Sequence, residues 1–233
     1  MLYQSFVPLQ ELWNTAHRIF DPLSYKETVS ERFIPVCLEE AFKLCAYYPI
    51  VWCRNEVGDL ELIAVRQLRS EVSTLNPDQI RTNCLPLALQ AFPFRYKNLS
   101  GGDLELGLER TTPMSERNIG TYIYDHLGNF QTGAELKIRS LERFKSNYTC
   151  QKILTNNLLR HSMLEPVNMP EQLCKKCQLP DFFAAIEHPD PQLSLQSIPK
   201  SDQKMVLTFL TAQRLSLFKM ATIIGQSKIF QQK

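Results

Sequence analysis

Cys174-Lys175-Lys176-Cys177 is the short motif of this chain whose residue types and spacing best suit direct chemistry. Two thiols at that spacing clasp a metal or interconvert with a disulfide, and flanking lysines favour the thiolate. A zinc site needs four ligands. The histidines nearest in sequence, His161 and His188, give the order His-x12-Cys-x2-Cys-x10-His, which matches no standard finger layout. Redox use asks the pair to open a helix after a strand. Here it sits in a stretch broken by Pro166, Pro170, Pro180, Pro189, Pro191 and Pro199. Incidental or structural cysteines are therefore the leading expectation, a metal held by Cys174 and Cys177 the second, and redox use the third.

Other candidate groups are few. The histidines are His17, His126, His161 and His188, and none stands in a His-Glu-x-x-His or facial-triad spacing. There is no Gly-x-Ser-x-Gly elbow and no phosphate-cradling glycine loop, so no catalytic residue is assigned and no cofactor is expected. Asp103, Glu105 and Glu109 alternate along a strand pattern and read as a solvated face. His17-Arg18 and Asp125-His126 stay as weak site candidates. Dense aromatic runs broken by proline carry more: Tyr47-Tyr48-Pro49-Ile50-Val51-Trp52, and Leu85-Pro86 through Ala91-Phe92-Pro93-Phe94 and on to Tyr96. Such rings line a groove for a peptide or sugar, or build the core between hairpins, and the second use is the commoner. The binding candidates are thus His17, Arg18, Tyr48, Trp52, Phe92 and Phe94.

The elements that must position these residues follow from pattern. Phe33, Val36, Leu38, Ala41, Leu44, Cys45 and Tyr48 recur at three- and four-residue spacing, which predicts a helix from Ser30 that Pro49 stops, with Pro35 in its first turn or breaking it in two. Ile50 to Arg54 and Leu60 to Arg66 predict a hairpin around Asn55-Glu56-Val57-Gly58-Asp59. Leu75-Asn76-Pro77-Asp78 signals a turn, with partial helix after it. Phe94 to Tyr96 and Asp103 to Arg110 predict a second hairpin, its second strand alternating Leu104, Leu106 and Leu108 with Glu105, Gly107 and Glu109. Tyr122 to Tyr124 adds a short strand before a Gly128-Asn129 turn. From Gly133 the period lengthens. Leu136, Leu141, Phe144, Tyr148, Ile153, Leu158 and Met163 predict a long amphipathic helix. Only Gln178 to Glu187 reads as an element in the proline-rich stretch. Lys204 to Gln226 is a second strong helix, with Val206, Phe209, Leu210, Leu215, Phe218, Ala221 and Ile224 on one side. The expected fold is α+β: an N-terminal part, 1–130, of short antiparallel strands, hairpins and helices, and a mainly helical part, 131–233, with two long amphipathic helices. The two are expected to share one core in a single 1–233 domain.

Bulk properties exclude several classes. At 233 residues, 44% hydrophobic and 21% charged, the chain has enough apolar side chain for a core without staples. Its 26 basic and 24 acidic residues are too balanced for a nucleic-acid binder. From Pro191 onward, however, Lys200, Lys204, Arg214, Lys219, Lys228 and Lys233 face Asp202 alone. That imbalance is a solvated helix face or a docking surface for an acidic partner. No apolar run is long enough to span a bilayer. Seven cysteines and no Sec-type signal in the first ten residues favour reduced thiols and a cytoplasmic location.

The two aromatic runs also carry a resemblance. His17-Arg18, the apolar segment Pro35 to Tyr48, Tyr48-Pro49-Ile50-Val51-Trp52, Leu85-Pro86 with Phe92-Pro93-Phe94, Met163-Leu164-Glu165-Pro166 and the final helix resemble the SapC family, bacterial proteins named for a surface-layer-protein secretion gene cluster. The likeness extends over most of the chain, which departs from the family pattern at 68–75, at Gln90-Ala91-Phe92 and at 178–183, as a divergent member would. The resemblance implies an accessory role near surface-protein secretion or surface-glycan handling, and it transfers no catalytic residue. Two functions follow as expectations. One is a non-enzymatic cytoplasmic adaptor that binds a protein partner; the other is an enzyme or enzyme component acting on a peptide or carbohydrate in an aromatic-lined pocket.

Overall fold

Proline placement decides where helix gives way to strand. The helix Leu38–Leu44 ends five residues before Pro49, which lacks an N–H and bars its resumption, and the branched run after it extends into a strand. In the computed structural model, which describes residues 5–13, 17–55, 57–68, 84–98, 103–115 and 119–226, the elements run in this order. They are β1 (Phe6–Pro8), β2 (Arg18–Ile19), α1 (Lys26–Ser30), β3 (Phe33–Pro35), α2 (Leu38–Leu44), β4 (Ile50–Arg54) and β5 (Leu60–Val65). After these come α3 (Leu87–Ala91), β6 (Phe94–Asn98), β7 (Leu104–Glu109), β8 (Thr121–Tyr122) and α4 (Thr132–Arg160). The chain continues with β9 (Leu164–Pro166), α5 (Glu171–Cys177), β10 (Phe182–Ala185), α6 (Pro191–Ser194), α7 (Lys200–Ser216) and α8 (Phe218–Gln226). The fold is α+β, and each named strand pairing in it is antiparallel. Among the described residues no helix is long and apolar enough to cross a membrane.

The chain divides into two compact units, each assembled from two separate stretches: residues 1–31 with 71–144, and residues 32–70 with 145–233. The helix α4 begins in the first and ends in the second.

The first unit holds a three-stranded sheet in the order β1-β7-β6, and β2 pairs with β8. Gly107 sits in the central strand, where a Cβ would lie 2.4 Å from the Val7 carbonyl oxygen and 2.5 Å from the Phe6 ring. Only glycine lets β1 approach there. Leu9, Leu12, Ile19, Phe94, Leu108, Ile123, Ile138 and Leu141 form its core. Lys137 of α4 donates to the Phe92 carbonyl at 2.6 Å, and burial pulls its ammonium down to about 8.

The second unit is built on a five-stranded sheet in the order β3-β5-β4-β10-β9. Alternation along β4 and β5 sends Ile50, Trp52, Leu62 and Ala64 to one face, against α2, α4 and α7. Val51, Cys53, Ile63 and Val65 go to the other, against α5 and α8. The hairpin β4–β5 forms where the sequence predicts it. Asn55 Oδ1 accepts from the N–H groups of Val57 (3.1 Å) and Asp59 (2.9 Å), an Asx turn closed by Gly58 at φ +90°.

Four expectations of secondary structure need correction. The proline-rich stretch holds α5 and α6 besides the element predicted over Gln178 to Glu187, because Pro170 and Pro191 stand at helix starts, where a missing N–H costs nothing. The helix from Ser30 to Tyr48 is broken by the edge strand β3, whose Pro35 needs no ladder donor; α2 starts afresh after Cys37, with Glu40 accepting the Cys37 N–H. On α4 the buried apolar positions are Ala134, Ile138, Leu141, Cys150, Leu154 and Leu158, while Leu136 and Tyr148 are exposed. The predicted stripe mixed two faces because the helix serves a different core at each end. Lys204 to Gln226 is two helices with Leu217 between them, and Leu215 and Phe218 lie outside the core. The predicted turn at Leu75 to Asp78 lies outside the described residues.

Candidate functional site

Trp52, Phe92 and Phe94 are fully buried. Trp52 packs edge-on against Phe209, ring centroids 5.9 Å apart, and its Nε1–H donates to Thr155 Oγ1 at 3.0 Å. Phe92 meets Tyr25 edge to face at 5.1 Å, and Phe94 joins the first unit's core. Tyr48 is half-buried against the core of the second unit. These rings hold walls in place.

His17 and Arg18 belong to the first unit, at its surface. Arg18 Nη2 donates to the Tyr122 hydroxyl at 2.8 Å, and its guanidinium lies 4.6 Å from the Tyr122 ring centre. The β2–β8 pairing sets that geometry, Arg18 standing opposite Tyr122. His17 and Arg18 border a hollow of about 50 Å³ with Tyr25, Pro93, Glu109 and Thr111, room for a few water molecules. Glu109 is buried there, contrary to its reading as solvated. It accepts from the Ser5 N–H and hydroxyl, with Arg95 Nη1 3.8 Å away. Alternation alone cannot show this, because β7 is covered on its β1 side.

Cys174 and Cys177 close α5 rather than opening a helix. Cys177 is buried and Cys174 half-buried, and no cysteine is in a disulfide. Arg32 Nη1 donates to the carbonyls of Leu68 (3.0 Å) and Cys177 (2.7 Å), fixing the end of that helix. Among the described residues no three His, Cys, Asp or Glu gather where a metal ion would sit.

The second unit carries two further features, of which only the basic charge of the first was legible in the sequence. The first is a face of α7 and α8. Leu207 (40% exposed), Leu215 (62%) and Phe218 (78%) stand at i, i+8 and i+11, with Thr211 between them. At 100° per residue Leu207, Thr211 and Leu215 fall within one quadrant of α7, and Phe218 opens α8 just beyond the break at Leu217. Lys200 and Lys204 are exposed on the same side of α7 and Lys219 is exposed on α8, whereas Asp202 lies beside Cys150 on the inward side. Arg214 is turned away as well, donating to the Ala185 carbonyl at 2.9 Å and pairing with Glu165. The face is apolar with basic ends.

The second is a cleft of about 170 Å³ between the β4–β5 hairpin end and the second half of α4. Its floor is Gln151 and Thr155, one turn apart and only 4% and 5% exposed. Its rim carries Arg54, Asp59, Tyr148, Lys152 and Asn156. Arg54 Nη1 donates to the Gly58 carbonyl at 2.9 Å, tying the rim to the hairpin turn. Burial first, then the Glu61 and Asp59 carboxylates, push the Tyr148 phenol upward. Trp52 contributes from behind, through its bond to Thr155.

A family model, SapC, matches residues 16–223, and the chain belongs to the SapC family. No curated protein and no solved structure matches it.

Proposed function

We propose that this chain is a non-enzymatic cytoplasmic adaptor whose α7–α8 face docks an acidic amphipathic segment of a protein partner. The observation that carries this reading is the outward face of Leu207, Leu215 and Phe218 flanked by Lys200, Lys204 and Lys219. Apolar residues at helical spacing that the fold leaves uncovered are the usual anchors of a helix-in-groove contact. A basic rim selects an acidic partner and raises the rate of encounter. The SapC family, through the gene cluster in its name, supports a role near surface-protein secretion or surface-glycan handling.

The test compares the native protein with Leu215→Asp and Phe218→Asp in crosslinked pull-downs, with circular dichroism and unfolding curves as controls for folding. Expected is an acidic partner that both variants lose, a change of at least about 2 kcal/mol or 30-fold in affinity, and whose binding weakens with salt. A partner retained by both folded variants overturns the reading. So does a chain that self-associates through this face, shown by a sedimenting dimer that Phe218→Asp dissolves.

A further inference from the structure

We infer that the cleft between the β4–β5 hairpin end and α4 is a carbohydrate-binding site that takes one hydroxyl-rich sugar unit. The inference stands apart from the docking reading, because it uses other residues. Gln151 Oε1 is shielded from solvent and has no hydrogen-bond partner. A buried carbonyl oxygen left in that state loses its water without replacement and asks for a donor from whatever fills the cleft. One turn on, Thr155 spends an oxygen lone pair on the Trp52 Nε1–H, which leaves its own hydroxyl hydrogen to give. The floor therefore presents an acceptor and a donor side by side. A sugar hydroxyl answers both, since it gives one hydrogen and accepts another. A carboxylate such as acetate does not, because at neutral pH it accepts only.

The rest of the lining fits that occupant. Tyr148 offers a half-exposed ring as a wall, and Asp59, Asn156, Arg54 and Lys152 at the rim alternate acceptors and donors. At 170 Å³, about a dozen times the ~10–15 Å³ that one water needs, the hollow is on the scale of a single sugar ring. Two cations against one carboxylate at the rim make room for an acidic sugar without requiring one. Asn55 Oδ1 holds the Asp59 backbone through its N–H, and Trp52 holds Thr155, so this part of the cleft is shaped before any ligand arrives.

Saturation-transfer NMR on the full chain, titrating glucose, galactose, N-acetylglucosamine and glucuronic acid, with acetate, an anion whose methyl protons report binding, as the acceptor-only control, tests this. Expected is transfer to at least one of the sugars with a Kd on the order of millimolar. Gln151→Leu should weaken it about tenfold or more, as should Tyr148→Ala, a rim change that leaves the core intact, while Phe218→Asp should leave it unchanged. No transfer to any of the four sugars at tens of millimolar overturns the inference. So does sugar binding that both cleft variants keep, or binding of acetate alone.

Discussion

Single atoms decide how Trp52 acts. Its ring is sealed in the second unit's core, yet its one polar atom reaches Thr155 on the cleft floor. Trp52→Phe keeps most of the packing and deletes the donor, so Thr155 Oγ1 is left buried with one bond fewer. The expected loss is about 1–3 kcal/mol in urea unfolding, together with weaker sugar binding; an unchanged midpoint would remove this bond from the support of the cleft. The thiols differ for a related reason. Burial pushes Cys37 up to about 12 and Cys45 up to about 11, so both should resist alkylation at neutral pH in the native protein. Half-buried Cys84 and Cys174 should react first.

Between elements, the second unit depends on α7 completing a strand that the sheet leaves unfinished. The pairing of β10 with β4 ends at Trp52, and Ile50 beyond it turns to the helix instead. Its N–H donates to Ser216 Oγ at 3.0 Å, and its carbonyl accepts from Gln213 Nε2 at 2.8 Å. Ser216→Ala leaves that N–H buried without an acceptor and should cost about 1–3 kcal/mol by chemical denaturation. Ser216→Thr, which keeps the hydroxyl, should recover part of it. A loss below about 0.5 kcal/mol would show that water replaces the serine. The sequence marks Lys204 to Gln226 as helical and amphipathic, but not which polar residues face inward. Gln213 and Ser216 are polar by type, and only the start of β4 beside them shows that they face inward.

For the whole molecule, ionisation should separate the two units in alkali. In the second, Cys37 and Cys45 favour the neutral thiol, while the unfolded chain ionises from about pH 9. The stability they supply is complete below pH 9 and is lost as pH rises toward 11 and 12. In the first, Lys137 has a native value near 8 against 10.5 unfolded. The unfolded chain holds the extra proton between those values, so this unit gains stability from about pH 8 upward. Tyr25, pushed up to about 12 by burial, opposes that gain above pH 10. Hydrogen exchange with fragment-resolved mass spectrometry between pH 8 and 10 should show residues 84–98 becoming better protected and residues 33–65 less so, once intrinsic rates are divided out. Lys137→Met should abolish the first trend. A common trend in both segments would contradict the assignment.

Period, proline and turn chemistry were enough to specify much of the architecture. They determined both hairpins, the long helix from the Gly133 region, the α+β class and, through the aromatic-proline runs, the SapC family. Those signals are local, fixed by backbone sterics and by side chains within a few residues of one another. What tertiary structure alone decided is which side of each element is covered. Leu215 and Phe218 share a periodicity with core residues yet face outward, and Gln151 reads as an ordinary polar helix residue until the hairpin turns it into the floor of a cleft. Burial is set by partners that arrive from distant parts of the chain, and no local pattern carries their positions.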